Sequence, residues 1–146
     1  NLTTNTLTAN GVGVPFPLNF TVFNFENVTG TSFNDAITGD VQNNALIGGV
    51  GNDTLGGSAG LDTLTGGTGA DKFGFYNLLD GIDLIRDFSQ AEGDKIQISQ
   101  VGFGLTSLNQ ITYNNTNGGL FFLNTQFATL ENRLGLFNAL SDVVLV

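Results

Sequence analysis

The chain has 146 residues, 21 of them Gly, with no Cys, His, Met or Trp and a formal charge of −9 from 13 acids and 4 bases. Without Cys or His there is no thiolate nucleophile, Ser–His relay, zinc cage, haem ligand or disulfide framework, and four cations cannot track the phosphates of a nucleic acid. No apolar run approaches the roughly 20 residues that span a bilayer, so no membrane insertion is expected; the acidic balance favours a hard cation, calcium first.

The first residues carry no basic-then-apolar leader pattern. Gly, Asn, Thr and Asp mix with β-branched and aromatic residues, a composition of tight turns and short strands. No stripe at 3.6-residue spacing runs through the first hundred residues, so the expected fold class is all-β. Residues 1–29 read as strand and loop, an N-terminal β cap or leading coil, with Pro15 and Pro17 marking an edge or crossing. The run 19–25 alternates imperfectly at period two. Glu26 and Val28 already stand in the register of the repeats that follow.

From Gly30 the chain divides into nines: GTSFNDAIT, GDVQNNALI, GGVGNDTLG, GSAGLDTLT and GGTGADKFG. Gly opens each unit, at Gly30, Gly39, Gly48, Gly57 and Gly66. Asp or Asn stands sixth, at Asp35, Asn44, Asp53, Asp62 and Asp71. A large apolar residue stands eighth, at Ile37, Leu46, Leu55, Leu64 and Phe73. Self-similarity of this kind marks a solenoid, in which each unit stacks on its neighbours. Six residues make a Gly-rich turn, and three make a strand whose eighth residue points inward. Positive φ at Gly lets the turn bend sharply and aim its carbonyls at a common centre.

If two units complete one coil, turns on one side recur every eighteen residues. Asp35, Asp53 and Asp71 then share one side, and Asn44, Asp62 and Asp80 the other. Stacked parallel strands lie about 4.8 Å apart. One cation between successive turns would draw oxygens from both, toward the six to eight that calcium takes. The alternative is a metal-free stack whose Asp and Asn side chains hydrogen-bond along the ladder. Against it, eleven of the thirteen acids lie between Glu26 and Asp94, with only Lys72 and Arg86 among them and Lys95 directly after. Like charges at that spacing repel.

The stretches Gly48-Gly49-Val50-Gly51-Asn52-Asp53-Thr54-Leu55 and Gly66-Gly67-Thr68-Gly69-Ala70-Asp71-Lys72-Phe73 fit the pattern GGxGxDxU. They resemble the repeats-in-toxin (RTX) nonapeptides of proteins exported by bacterial type I secretion. The resemblance covers residues 26–100. It implies a parallel β-roll, a right-handed two-sheet solenoid with β-rich N- and C-terminal caps, and a row of calcium ions along each side. The metal turns it implies are Gly48, Gly49, Gly51 and Asp53; Gly66, Gly67, Gly69 and Asp71; and Gly57, Gly60 and Asp62. The units holding Asp35 and Asn44 depart from the pattern. Phe33 and Gln42 replace the second turn glycine there, and Asn44 lacks a charge, so weak metal sites or none are expected.

After Phe73 the repeat dissolves into Phe75-Tyr76 and then residues 80–88, similar to the segment that closes many RTX rolls. The roll is expected over 30–83 and a C-terminal β-rich cap over 84–146. Asp83 and Asp94 are candidates to close the last metal site, where no further turn supplies oxygens. Alternatively, Asp87 and Arg86 form a solvated pair. Residues 113–122 read as two strands around an Asn/Gly turn, and 128–134 as a short helix or strand entry. The ending Asp142-Val143-Val144-Leu145-Val146 resembles the uncleaved export signal of some type I substrates.

Catalysis is not expected. Asp80, Asp83 and Asp87 would have to act as glycosidase-type paired carboxylates, and acids inside calcium repeats are better explained as ligands and their neighbours. Two functional classes stand. In the first, the chain is a secreted, extracellular or cell-surface calcium-binding structural protein that folds on calcium and stacks head-to-tail on other copies into a matrix, surface layer or filament. In the second, it is the non-catalytic C-terminal calcium-binding and secretion domain of a larger secreted hydrolase or toxin. Both take several calcium ions as cofactor and a type I exporter as transient partner.

Overall fold

A computed structural model of the chain describes residues 6–8, 19–21, 26–132 and 137–146. Much of the expected N-terminal cap therefore lies outside the described residues. Its described strands are β1 (Thr6–Thr8), β2 (Asn19–Thr21) and β3 (Asn27–Thr29). Five strands then open at the seventh residue of each nonapeptide: β4 (Ala36–Thr38), β5 (Ala45–Val50), β6 (Thr54–Gly56), β7 (Thr63–Thr68) and β8 (Lys72–Phe75). The division follows the composition, with Gly and Asx in the turns and Thr and aliphatic residues in the strands. Six strands follow: β9 (Asp83–Ile85), β10 (Lys95–Ile98), β11 (Ile111–Asn114), β12 (Gly119–Phe122), β13 (Thr125–Leu130) and β14 (Val143–Leu145). Two single-turn helices, α1 (Gln100–Phe103) and α2 (Ala139–Asp142), lie among them.

Successive strands of the repeats alternate between two sheets, ordered β1-β3-β5-β7-β9-β13-β12-β11 and β14-β10-β8-β6-β4-β2. Through the repeats all pairing is parallel. Val28, Leu46 and Leu64 share one register line in the first sheet, and Ile37, Leu55 and Phe73 share one in the second. One coil is therefore two nonapeptides, and the architecture is a parallel β-roll.

Past Phe73 the layers lengthen. Leu64 pairs with Ile85 and Phe73 with Ile96, so the offset of 18 residues becomes 21 and then 23. The longer turn after β8 corrects one expectation. Asp80 does not continue the column of Asn44 and Asp62; Asp83 stands there, because three extra residues enter before β9. The expected boundary at residue 83 falls on the first residue of β9, and both sheets run on across it. β13 adds in parallel to β9 and β14 in parallel to β10. β11 and β12 form the antiparallel hairpin expected over 113–122. Residues 128–130 belong to β13, while 133–136 lie outside the described residues.

The eighth residues of the repeats make the core: Ile37 is 1 % exposed, and Leu46, Leu55, Leu64 and Phe73 are fully buried. One large apolar side chain per nine ordered residues is a thin core, and Gly-rich turns are costly to order. Toward the C-terminal end the core widens into an aromatic plug. Phe127 meets Phe75 and Phe103 edge-on at 5.1 and 5.2 Å between ring centroids, and Phe103 meets Phe122 at 5.7 Å. Apolar packing seals that end; the middle of the roll has the thinner core. Among the described residues no helix is long and apolar enough to cross a membrane.

Candidate metal sites in the stacked turns

The sixth residues form two side-chain ladders. On one edge the Asp35 N–H donates to Asp53 Oδ1 (2.7 Å), Asp53 N–H to Asp71 Oδ1 (2.8 Å) and Asp71 N–H to Asp94 Oδ1 (2.9 Å). On the other, the Asn44 N–H donates to Asp62 Oδ1 (2.7 Å) and Asp62 N–H to Asp83 Oδ1 (3.1 Å). All of these side chains are buried. Hydrogen bonding along the stack, the alternative to metal, is thus present. It uses only one oxygen of each carboxylate.

The second oxygen separates the ends of a column from its middle. Asp35 Oδ2 accepts from the Thr31 N–H and hydroxyl, and Asp94 Oδ2 from the Ser89 N–H. Oδ2 of Asp53, Asp62 and Asp71 is buried with no hydrogen-bond partner. A buried acceptor left unmatched costs on the order of 1–3 kcal/mol, and more when it is charged. These three oxygens lie against the glycines that open their own repeats, since a Cβ on Gly48, Gly57 or Gly66 would overlap Oδ2 of Asp53, Asp62 or Asp71. Carbonyls also point up the stack. Gly67 and Gly69, at φ +100° and +128°, stand so close over the Gly49 and Gly51 carbonyl oxygens that any Cβ would clash. The turn face is a cradle of oxygens that glycine keeps clear.

Burial shifts the carboxyls as well. Desolvation, reinforced by neighbouring acids, lifts Asp62 and Asp71 to about 6 and Asp83 to about 7. The same cause raises Asp53, Asp80 and Asp94. Asp94, Asp53 and Asp87 contribute to the rise at Asp71, and Asp40 and Asp80 to that at Asp62. The ladder's backbone donors oppose the shift without cancelling it. A site with oxygen donors only, several unmatched and all short of positive charge, fits a hard cation. Among the described residues no three acidic side chains converge on one point. A cation here would draw on carboxylates of two layers together with backbone carbonyls, the mixed and irregular shell that calcium tolerates better than magnesium.

The candidate residues divide accordingly. Asp53, Asp62 and Asp71 hold the middle of the columns, and Asp35, Asp83 and Asp94 their ends. Gly49, Gly51, Gly60, Gly67 and Gly69 all adopt positive φ. Asp80 lies beside the ladder, its carbonyl accepting from the Gly60 N–H at 2.7 Å. Asp87 is no solvated partner of Arg86. Its two oxygens accept from the Gly66 and Gly67 N–H groups at 2.9 and 2.8 Å, and Arg86 instead lies 3.8 Å from Glu131. Outside the first ladder Asn34 and Asn52 accept from the N–H groups of Asn52 and Ala70, and outside the second Asn43 accepts from that of Leu61. The recurrence of Asn at the fifth position was the signal for them. For Asp87 the signal was its place where a repeat-opening Gly belongs, visible only once the 21-residue layer is known.

The profile of the family described as Peptidase M10 serralysin C terminal matches residues 5–136. Comparison with curated proteins gives no match. Among solved structures, the chain is similar to the solution structure of the AlgE6R3 subunit of the Azotobacter vinelandii mannuronan C5-epimerase. The two share 23% identity at a TM-score of 0.59 over 92% of this chain and 82% of that one. That likeness is one of fold.

Proposed function

From the premise that the chain belongs to the Peptidase M10 serralysin C-terminal family, with the β-roll of RTX proteins, we propose that it is a secreted module folded by calcium. Asp53, Asp62 and Asp71 would hold the ions, with Asp35, Asp83 and Asp94 as partners at the column ends. The carbonyls of Gly49 and Gly51 would complete the shell from the next layer. Bound calcium supplies positive charge where carboxylates are crowded and dehydrated. The observation that carries this reading is the row of buried, unmatched Oδ2 atoms on Asp53, Asp62 and Asp71.

The mechanism is linkage. Calcium binds the closed stack and not the open chain, so it stabilises the roll by mass action. In a cytosol poor in calcium the thin core leaves the chain loose enough to thread a type I exporter; millimolar calcium outside closes it. We assign the chain no catalysis of its own. Asp83 is buried as an acceptor for Asp62, and Asp87 is engaged by two turn amides.

The family match favours service as the terminal folding and export module of a larger secreted protein. The structural, self-assembling reading is supported by a different observation: among the described residues, β14 and β2 each end the second sheet with a partner on one side only. Such edges template further strands. Circular dichroism of the purified chain in EGTA and through a calcium titration tests the common reading, and light scattering on the same samples separates the two roles. β structure appears with calcium if the proposal holds; a spectrum indifferent to calcium refutes it.

A further inference from the structure

Each layer of the first column is held from the layer beyond it, until the last. The backbone N–H groups of Asp35, Asp53 and Asp71 donate to carboxylates of the following turn. Asp94 has no such carboxylate beyond it, and its N–H turns back to the Ser89 carbonyl at 3.1 Å. Further local bonds close this turn on itself. The Gly93 N–H reaches the carbonyls of Ser89 and Gln90, both at 3.2 Å, and the Ser89 N–H reaches Asp94 Oδ2 at 2.8 Å. Two ties come to it from later in the chain. Asn132 Nδ2 donates to the Phe88 carbonyl at 2.5 Å, and Gln90 Nε2 donates to Asp142 Oδ2 at 2.5 Å across 52 residues.

Asp142 is only 4% exposed, and it forms no ion pair among the described residues. Its Oδ2 also accepts from the Asn138 N–H at 2.8 Å, and its Oδ1 from the Ser141 hydroxyl at 3.0 Å. The carboxylate thus closes the turn 138–142 much as Asp35 closes the turn 31–35 through the Thr31 N–H. Directly after it β14 pairs with β10, Val143 opposite Ile96. A buried carboxylate without a cation is costly to keep, and an apolar side chain would pack there at less cost. Closing the α2 turn needs only the bonds within 138–142, so the bond to Gln90 is left unexplained by that local duty. We infer that Asp142 and Gln90 are positioning residues for the end of the first metal column. The segment 138–145, docked on β10, holds the 89–94 turn, and that turn presents Asp94 to the cation that Asp71 would hold. The pair stands in for the carboxylate of a further layer. Binding of the last cation and docking of β14 then favour one another by the same factor. Neither residue touches the cation. The inference rests on the calcium reading above, and adds to it which residues outside the repeats set the affinity of one site.

The test uses the full chain in saturating calcium, read residue by residue through amide hydrogen exchange, with a calorimetric calcium titration beside it. Gln90→Ala removes the tie and leaves Asp142 its two local donors. One ion should then bind about tenfold more weakly, as loss of a charge-assisted hydrogen bond implies. The amides of Asp71, Gly93 and Asp94 should lose protection, while those of Asn44 and Asp62 in the second column keep theirs. Gln90→Glu with Asp142→Asn exchanges donor and acceptor across the same bond and should restore both readouts. Phe122→Leu loosens the aromatic plug at the same end without touching the turn, and should lower protection in both columns together. A loss in Gln90→Ala spread evenly over both columns, as in Phe122→Leu, overturns the proposal. So does wild-type calcium affinity in Gln90→Ala, or an exchanged pair that recovers neither readout. The exchanged pair decides the matter if Gln90→Ala fails to fold. A normal wild-type calcium response with an indifferent Gln90→Ala removes this inference alone, and a wild-type chain indifferent to calcium removes the reading beneath it.

Discussion

Replacing Asp71 by Asn should change stability in opposite directions with and without calcium. An Asn side chain keeps an oxygen for the Asp53 N–H, 2.8 Å from Asp71 Oδ1, so the ladder survives while the charge goes. In the metal-free roll that charge is a burden, since burial lifts the carboxyl from 3.8 to about 6. At about 1.4 kcal/mol for each tenfold change in proton affinity, the ionised group costs at most about 3 kcal/mol at pH 8; solvent at the turn face reduces this to roughly 1–2 kcal/mol. In EGTA at pH 8 the variant should therefore be more stable than wild type by about that amount, and the gain should shrink as pH falls through 6 and vanish only near about pH 2.5, well below 3.8, where Asp71 is protonated whether folded or unfolded. With calcium the sign reverses, because an amide NH2, which cannot ligate a cation, replaces the unmatched Oδ2 that the cation would engage. Urea unfolding monitored by circular dichroism, in EGTA and in millimolar calcium, measures both arms. A variant weaker than wild type in EGTA, or equal to it in calcium, would refute the reasoning.

Other outcomes follow from the same geometry. Because folding raises Asp62, Asp71 and Asp83 to about 6, 6 and 7, protonation favours the metal-free roll. Its stability in EGTA should be greatest below pH 4 and fall as pH climbs through 6 to 7, while calcium affinity rises over the same span; urea midpoints and calcium titrations at pH 5 and 8 check both. Gly67→Ala, which forces a side chain at φ +100° onto the Gly49 carbonyl, should cost more than about 2 kcal/mol and weaken calcium binding. Gly104→Ala, at φ +64° with open space around it, should cost only about 1 kcal/mol, as left-handed backbone does; thermal melts of the two variants compare them. Asp53→Ala should depress calcium-induced β structure more than Asp40→Ala, whose carboxylate accepts from the Gln42 N–H in a local turn and stands outside the two ladders; equal effects in a titration would contradict the column assignment.

The roll was legible because three positions of each nonapeptide repeat and each has one physical duty. The opening Gly clears space, the sixth residue bonds the layer below and the eighth fills the core. Eighteen-residue layering followed from those positions and holds as far as Phe73. It failed at Asp80 because the turn after β8 takes three extra residues, and nothing in residues 76–82 shows how many of them the turn absorbs. Asp87 was hidden by the same shift, since its partners Gly66 and Gly67 are found only through the new offset. The aromatic plug joins Phe75, Phe103, Phe122 and Phe127 across distant segments, and no local period encodes such contacts. The tie from Gln90 to Asp142 was likewise out of reach, since it joins residues 52 apart.

The most direct test is a metal count on the purified chain, paired with amide hydrogen exchange before and after exhaustive dialysis against EGTA. Several calcium ions per chain are expected, with the amides of Asp35, Asp53, Asp62 and Asp71 protected in their presence and exposed once they are removed. Equal protection in a chain stripped of every divalent ion would contradict the account.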